Sequence, residues 1–478
     1  MKPVNPKLFA TDRILKNLQG NTIKGHGRDH TTHIFIHFDA DCLSAAKDWI
    51  RSFSEDTITS AKKQLEEREA FNKDNTKVGD LFASLFLSAA GYEALGFTDV
   101  HTKFSDQGFK AGLKARRTET NDPEPQEWEK GYRAEIHAMI LLADDDLTRM
   151  GIFTKGLLDI VDKFSRINVV EYGNAIRNSE KEGIEHFGYV DGTSQPLFLQ
   201  DEIEAYEQLH GVKLSPPSDN LKFDPSADTD LILIPDPYVA PNPEKPALGS
   251  YFVFRKLEQN VRAFKEAEKK IGKQLFPNLG DESKRELAGA YLVGRFEDGS
   301  PVLLDDEDSI PNSAHFNNFD YASDPSGGRC PHFAHVRKAN PRRDAFDKSR
   351  TMARRGIPFG HRDVDTELDP IPAQTPINGV GLLFMSYQAS IENQFEFIQR
   401  DWANNAAFPA DSTGIDPIIG QSAVTATPAE RSSDRSYQFP QTYVTPSPTI
   451  PAQFDQFVTM KGGEYFFAPS ITFLKSLV

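Results

Sequence analysis

Only two cysteines, Cys42 and Cys330, occur in 478 residues. That is too few for a disulfide scaffold or a four-cysteine zinc site, although a single cross-link between them stays open. Long apolar runs are also missing. The longest candidates, such as AMILLA after His137, fall far short of the ~18 residues a membrane helix needs, so no membrane association is expected. The N-terminus, MKPVNPKLFATDRILKNLQG, has no continuous apolar core followed by a small-residue cleavage site and does not read as a signal peptide. A cytoplasmic location is the expectation for the sequence as it stands, and secretion only if a leader preceded it. Positive charge is scarce as well: 54 Lys and Arg against 70 Asp and Glu leave a net charge of −16. A phosphate backbone would have to overcome that field, which argues against nucleic acid as a partner.

What is present has a repeated grammar. THIFIHF (Thr32 to Phe38) precedes a helical stretch through Leu43, Ala46, Trp49 and Ile50, and AEIHAMILLADDDLTRMGIFTKGLLDIVDKF repeats the step from strand to helix. SYFVFRKLEQNVRAFKEAEKK and GVGLLFMSYQASIENQFEFIQRDWANN do so twice more in the second half. Two α+β modules of similar plan follow. Between them, PPSDNLKFDP and IPDPYVAPNPEKPALG are rich in proline and polar residues, as a surface connection would be. The expected division is 1–212, a connecting segment 213–248, and 249–478.

Four histidines, His26, His30, His33 and His37, invite a metal reading near the N-terminus. Strand alternation puts His33, Phe35 and His37 on one face and Ile34, Ile36 and Phe38 on the other. The apolar set is expected to face the core and the histidines to be solvated.

The segment RCPHFAHVRKANPRR (329–343) is denser in chemistry. Cys330, His332 and His335 offer three zinc ligands, but no second cluster of Cys and His completes the site. Arg337, Lys338, Arg342 and Arg343 read equally as a solvated basic face. A histidine followed closely by guanidinium groups also suits a metal-bearing cofactor that carries carboxylates, and haem is one. The residues alone do not choose between His332 and His335. Two further stretches stand out: HFGYVDGTSQP, with Asp191 ahead of Gly192, and MARRGIPFG, with Arg354 and Arg355 ahead of Gly356 and Pro358. Each alone reads as turn or loop, and Asp-Gly recurs at Asp298-Gly299.

Taken together, these blocks resemble a known family. FGYVDGTSQP is similar to the GxxDG signature of the dye-decolourising (DyP-type) peroxidases, and CPHFAHVRKANPR to the segment bearing that family's proximal haem histidine. LQGNTIKGHGR, YLVGRFEDGSPV, ARRGIPFG, GLLFMSYQ and QFEFIQRDWANN resemble further family blocks in the same order. The long form resembles the branch with fungal and related bacterial members. The resemblance implies an α+β fold of two ferredoxin-like modules with antiparallel sheets and peripheral helices, in a barrel-like arrangement, holding haem b.

The same resemblance implies roles for individual residues. His335 is the expected iron ligand, with Glu396 the expected carboxylate on its second nitrogen. Asp191 is the expected acid–base group for hydrogen peroxide, and Arg354 its charged partner, or Arg355 if the register is off by one. Gly192, Thr193, Gln195, Arg337, Arg342, Arg354, Leu382 and Phe384 are expected around the cofactor, the two arginines of the 337–342 segment as propionate partners. Trp402 is the expected surface residue through which bulky aromatic donors such as dyes and phenols give up electrons. Phe359 stands where some relatives carry tyrosine, and Gly356 where certain bacterial relatives carry asparagine. A carboxylate base titrates well below a histidine base, so activity is expected to be greatest in acid. The rival readings are a non-catalytic haem carrier, which would need His335 but neither Asp191 nor Arg354, and a cofactor-free acidic interaction protein. A homodimer is compatible with the sequence. The tail SITFLKSLV reads as a closing helix in preference to a signal for capture in a protein shell.

Overall fold

A computed structural model describes residues 3–6, 8–307, 316–364 and 370–478. The first half runs β1 (His30–Phe38), α1 (Leu43–Asp56), β2 (Phe82–Leu87), β3 (Ala138–Asp144), α2 (Leu147–Val161) and β4 (Ser165–Asn174). The second runs β5 (Leu248–Gln259), α3 (Val261–Leu275), α4 (Asp281–Val293), β6 (Ile357–Phe359), β7 (Gly381–Gln388) and β8 (Val458–Ala468). Where the sequence suggested an ordinary helix after β7, the chain winds as π-helix over Ile391–Glu396 and Ile398–Ala403.

Local chemistry sets these elements. Asp146 caps α2 by accepting from the amides of Thr148 and Arg149, and Asn260 caps α3 by accepting from Ala263. The buried side of α3 carries Val261, Phe264, Lys265, Glu268, Ile271 and Leu275, the spacing of one helical face. Two of those six are charged, a departure from an apolar stripe that matters below.

Strand order in the first half is β2–β3–β1–β4 and in the second β6–β7–β5–β8, the ferredoxin-like plan twice. The pairings are antiparallel, and the two halves join at both ends: Phe467 of β8 pairs with Leu87 of β2, and Phe359 of β6 with Gly173 of β4. The eight strands therefore close into a barrel with helices around it, an α+β architecture. Phe35 on β1 packs against Phe254 on β5, ring centroids 4.7 Å apart, although those strands are not neighbours in the sheet. The face of β1 that carries His33 and Phe35 thus lines the lumen.

This corrects the expectation that His33 is solvated. It is fully buried, and burial pushes its pKa down to about 3, so the ring is neutral. Simple alternation fails because a closed, helix-covered sheet has no wet face. His37 keeps some exposure and stacks on His137, centroids 3.9 Å apart. Glu135 accepts from His137 Nε2 at 2.9 Å, while His137 Nδ1 accepts from the Phe38 amide at 2.9 Å. His137 thus has both ring nitrogens engaged by hydrogen bonds, with His37 stacked beside it. Among the described residues, no helix is long and apolar enough to cross a membrane. The C-terminal helix Ile471–Lys475 is packed down, with Leu477 buried and its carbonyl accepting from Arg51.

One glycine is required by contact. Gly462 sits at the bulge where β8 slips against β5, at φ +152°, and a Cβ there would lie 2.2 Å from Tyr132 Cγ. Gly462→Ala should therefore cost about 1–3 kcal/mol of stability, seen as a lowered midpoint in thermal or denaturant unfolding.

Candidate active site

Across the join between the halves lies a cavity of about 670 Å³. One wall is built by α5 (His335–Ala339) and the π-helical segment, which contribute His335, Val336, Ile398 and Trp402. Opposite stand the loop bearing Asp191 and the strand ends bearing Arg354, Leu382 and Phe384.

His335 begins α5 and faces the cavity, while His332 lies outside it with Nε2 3.0 Å from the Pro325 carbonyl. His335 Nδ1 is 2.8 Å from Asp416 Oδ2, and Asp416 is fully buried. Its other oxygen accepts from the amides of Ile418 at 2.8 Å and Ile419 at 3.0 Å. Burial opposes charge on both partners, yet each outweighs that penalty for the other, raising the imidazole pKa and lowering the carboxyl pKa. With Nδ1–H committed to Asp416, Nε2 keeps its lone pair, which is how a second carboxylate orients a metal-binding histidine.

That geometry corrects the assignment of Glu396. Glu396 is fully buried away from His335, where Arg116 grips both carboxylate oxygens and the Tyr465 hydroxyl donates at 3.2 Å. Asp416 was missed because it lies 81 residues from its partner in the chain. The only local signal is GIDPIIG, a turn-forming run around an acidic residue.

The proposed propionate partners also move. Arg337 follows His335 by two residues on one helix, roughly 200° around the axis, and so points away from the cavity. It binds Asp324 Oδ2 at 3.0 Å and lies over the Tyr321 ring. Arg342 stands behind the wall, its guanidinium sandwiched between Phe223 and Phe319 at 3.9 and 4.0 Å. Arg295 lines the cavity instead. It binds the carbonyls of Gly299 at 2.7 Å and Phe316 at 3.0 Å, and both Arg295 and Arg342 donate to Ser194 Oγ at 3.3 Å. Among the described residues neither has a carboxylate partner. Burial, with Arg342 beside it, pushes the Arg295 pKa down to about 9. Arg295 had been visible within YLVGRFEDGSPV, but there it served only as part of a family block.

Two buried guanidinium groups without an anion, beside an apolar cavity with an oriented imidazole, fit a metal-bearing cofactor that carries carboxylates. A haem meets each demand.

On the facing side, the Asp191 amide donates to the Gly183 carbonyl at 3.0 Å, and Gly188 and Gly192 adopt φ +106° and +79°. The Arg354 amide donates to Gln195 Oε1 at 3.1 Å, while its guanidinium makes no hydrogen bond to a described side chain or carbonyl. Arg355 is committed elsewhere, to the carbonyls of Asn21 at 2.7 Å, Thr22 at 2.9 Å and Arg354 at 2.8 Å. Of the two arginines, Arg354 has the free head group. Asp191, Arg354 and His335 all line one cavity. Gly192, Thr193 and Gln195 line the same space, and Leu382 and Phe384 share one face of β7 towards it.

Trp402 is not at the surface. It is 3% exposed, lines the cavity, and stacks on Phe408 with centroids 5.5 Å apart. Phe359 is buried in β6 beneath the Lys256 ammonium. Cys42 and Cys330 are both free, and burial pushes the Cys330 thiol up to about 12.

A closed α+β barrel with one cavity shared by a carboxylate-oriented imidazole, an aspartate and an arginine fits a haem peroxidase. Comparison with known proteins agrees. Residues 226–411 match the family Dyp-type peroxidase, C-terminal. The multifunctional dye peroxidase DyP2 of Amycolatopsis sp. is 40% identical, covering 97% of this chain and 96% of its own. The DyP-type peroxidase of Anabaena sp. superposes with a TM-score of 0.88 at 37% identity, covering 100% of this chain and 97% of its own. The dye-decolorizing peroxidase msp1 of Mycetinis scorodonius is 28% identical, covering 97% of this chain and 87% of its own. The chain belongs to the DyP-type peroxidase family.

Asp416→Ala should weaken cofactor retention or activity by about 10–100-fold, read by hemin titration of the apoprotein and by turnover. Glu396→Ala should leave the Soret band in place but strand Arg116, lowering unfolding stability by roughly 3 kcal/mol.

Proposed function

We propose that the chain binds haem b, whose iron would be held by His335, and reduces hydrogen peroxide at the expense of aromatic donors such as dyes and phenols. The observation that carries this reading is the single cavity shared by the His335–Asp416 pair, Asp191 and Arg354. A haem carrier would need the first pair alone. When bound, haem supplies the iron that takes two electrons' worth of oxidation from peroxide and returns it in one-electron steps.

The residues of the chain do the rest. Asp416 holds His335 in the tautomer whose Nε2 is free. Arg295, supported by Arg342, meets the cofactor's carboxylates. Asp191 takes a proton from one peroxide oxygen and delivers it to the other, so that the departing group leaves as water. Arg354 stabilises the negative charge that develops as the O–O bond opens. Leu382 and Phe384 keep the pocket apolar and limit competing water. Two donor molecules each then lose one electron, with one proton, and the second oxygen of peroxide ends as water as well.

A related dye-decolorizing peroxidase, 28% identical, has been solved in complex with 2,6-dimethoxyphenol, and phenols of that kind are proposed as donors here. Donors too bulky for the cavity are oxidised at a distance. Trp402, in the cavity wall between Phe397 and Phe408, is proposed as the first step of that route in place of its exit.

Asp191→Ala and Arg354→Leu should each lower the second-order rate constant for peroxide by about 10²-fold or more, measured by rapid mixing, with the Soret band retained; unchanged constants would overturn the reading. Asp191→His should carry the acid limb of that rate towards the imidazole range, since the substitute base must be deprotonated to act. Trp402→Phe should slow turnover of a bulky dye at least severalfold while sparing the peroxide step.

A further inference from the structure

Of the cavity-wall carboxylates to which the peroxide chemistry gives no role, Glu185 stands nearest Asp191 in the chain. Glu185 lies six residues before Asp191 and lines the same space. A carboxylate held in such a place is costly unless donors surround it, and three do. The amides of Phe187 and Tyr189 donate to it at 2.9 and 3.1 Å, and the side-chain amide of Gln259 donates from β5. Burial raises the Glu185 pKa, and the charge on Asp191 adds to the shift.

The backbone around it forms one tight unit. The Gly188 amide donates to the Glu185 carbonyl at 3.0 Å, and the Glu185 amide to the Tyr189 carbonyl at 3.1 Å. Ile184 then pairs with Val190, and the Asp191 amide reaches Gly183. Gly188 is held at φ +106°, where a Cβ would lie 3.1 Å from Glu297 Oε2. The turn that presents Asp191 is thus wound around the Glu185 carboxylate.

That turn follows the first half of the barrel but is gripped by the second. Gln259 holds Glu185, Glu268 of α3 accepts from the Tyr189 hydroxyl at 2.5 Å, and the Glu297 carbonyl accepts from the Val190 amide at 3.1 Å. The charged residues on the buried face of α3 belong to this grip, since Lys265 joins Glu268 and Glu297.

We propose that Glu185 is a positioning residue for the peroxide step: its carboxylate, fixed by Gln259, sets the turn that places the Asp191 side chain over the reacting oxygens. The proposal rests on Asp191 being the acid–base group. A carboxylate suits the task because it only accepts, whereas glutamine offers one oxygen to the two amides and a surplus N–H pair. Misplacement by ~1 Å can cost about 10²-fold in rate, so the effect is measurable without loss of fold.

The test uses the haem-loaded full chain as wild type, E185A, E185Q, Q259M, D191A and E185A/D191A. The readouts are the second-order rate constant with hydrogen peroxide and amide exchange of the 183–191 segment. E185A is expected to lower the rate constant at least about tenfold and to speed exchange in that segment. E185Q should recover part of both losses, and Q259M should move both in the same direction by less. On the D191A background E185A should cost nothing more. A rate constant for E185A within twofold of wild type, while D191A is impaired, overturns the inference and leaves the reading of Asp191 intact. So does a loss of equal size on the D191A background. Unchanged kinetics in D191A itself would sink the reading of Asp191, and the inference with it. If E185A does not load haem, Q259M decides: wild-type rate and exchange in that variant overturn the proposal.

Discussion

Closure of the sheet is the constraint on which the site depends. The junctions between the halves are short, a single residue pair at Phe467–Leu87 and another at Phe359–Gly173. A backbone hydrogen bond contributes about 1 kcal/mol net, so these pairs cannot hold the ring together. The lumen does: Phe35 packs on Phe254 and Tyr132, centroids 4.7 and 5.4 Å apart, bringing strands from opposite sides into one core. Closing the ring also removes sheet edges that would otherwise template association. Its functional consequence is that the chain leaving β4 emerges beside β6 and β7, so a loop after the first half meets the cofactor wall of the second.

Buried cations are matched in different ways in this chain. In the lumen Lys256 is paired with Glu171 at 2.9 Å and Glu129 at 2.8 Å, and on the other face of β5, at the cavity, Arg255 is paired with Asp122. In the cavity wall, Arg295 and Arg342 have carbonyl and hydroxyl partners but no carboxylate among the described residues. A buried cation without a counter-ion is destabilising, and Arg295 and Arg342 would gain from an anion placed in the cavity beside them. The mismatch would suit an anionic group in the cavity, and the nearby imidazole would suit its metal.

Much of this was legible in the sequence, and the failures have physical causes. The two α+β modules followed from strand and helix periodicity, and the blocks carrying Asp191, His335 and Arg354 from their resemblance to one family. Periodicity could not reveal that the sheet closes, so His33 was assigned to solvent when it faces the lumen. Proximity in sequence misled for Arg337, which shares a short helix with His335 but projects from its other side. It misled again for Glu396, which a distant arginine claims, while Asp416 arrives from a turn that nothing in the local pattern ties to His335. Trp402 sits in a segment dense in polar residues, yet π-helical winding turns its ring inward. Pairings across long chain separations and the inward or outward sense of a side chain are set by tertiary packing, and a linear pattern holds neither.

The two walls of the cavity are secured by separate means, and that separation divides the consequences of damage. The ligand wall is local to the second half, where α5 and the turn at Asp416 lock the imidazole through one charge-assisted hydrogen bond. Apolar residues such as Ile398 and Ile418 line the same space, so a bound cofactor completes a piece of hydrophobic core and stabilises the folded chain by mass action. The peroxide wall is composite, a turn after the first half held at Glu185, Tyr189 and Val190 by groups of the second. A fault in the first wall loosens the cofactor, and with it part of the fold. On the proposed mechanism, a fault in the second would leave the cofactor seated and the fold closed, but displace the carboxylate by distances that matter only to proton transfer. On that reading, capture of the cofactor and competence towards peroxide are separable properties, although one cavity serves both.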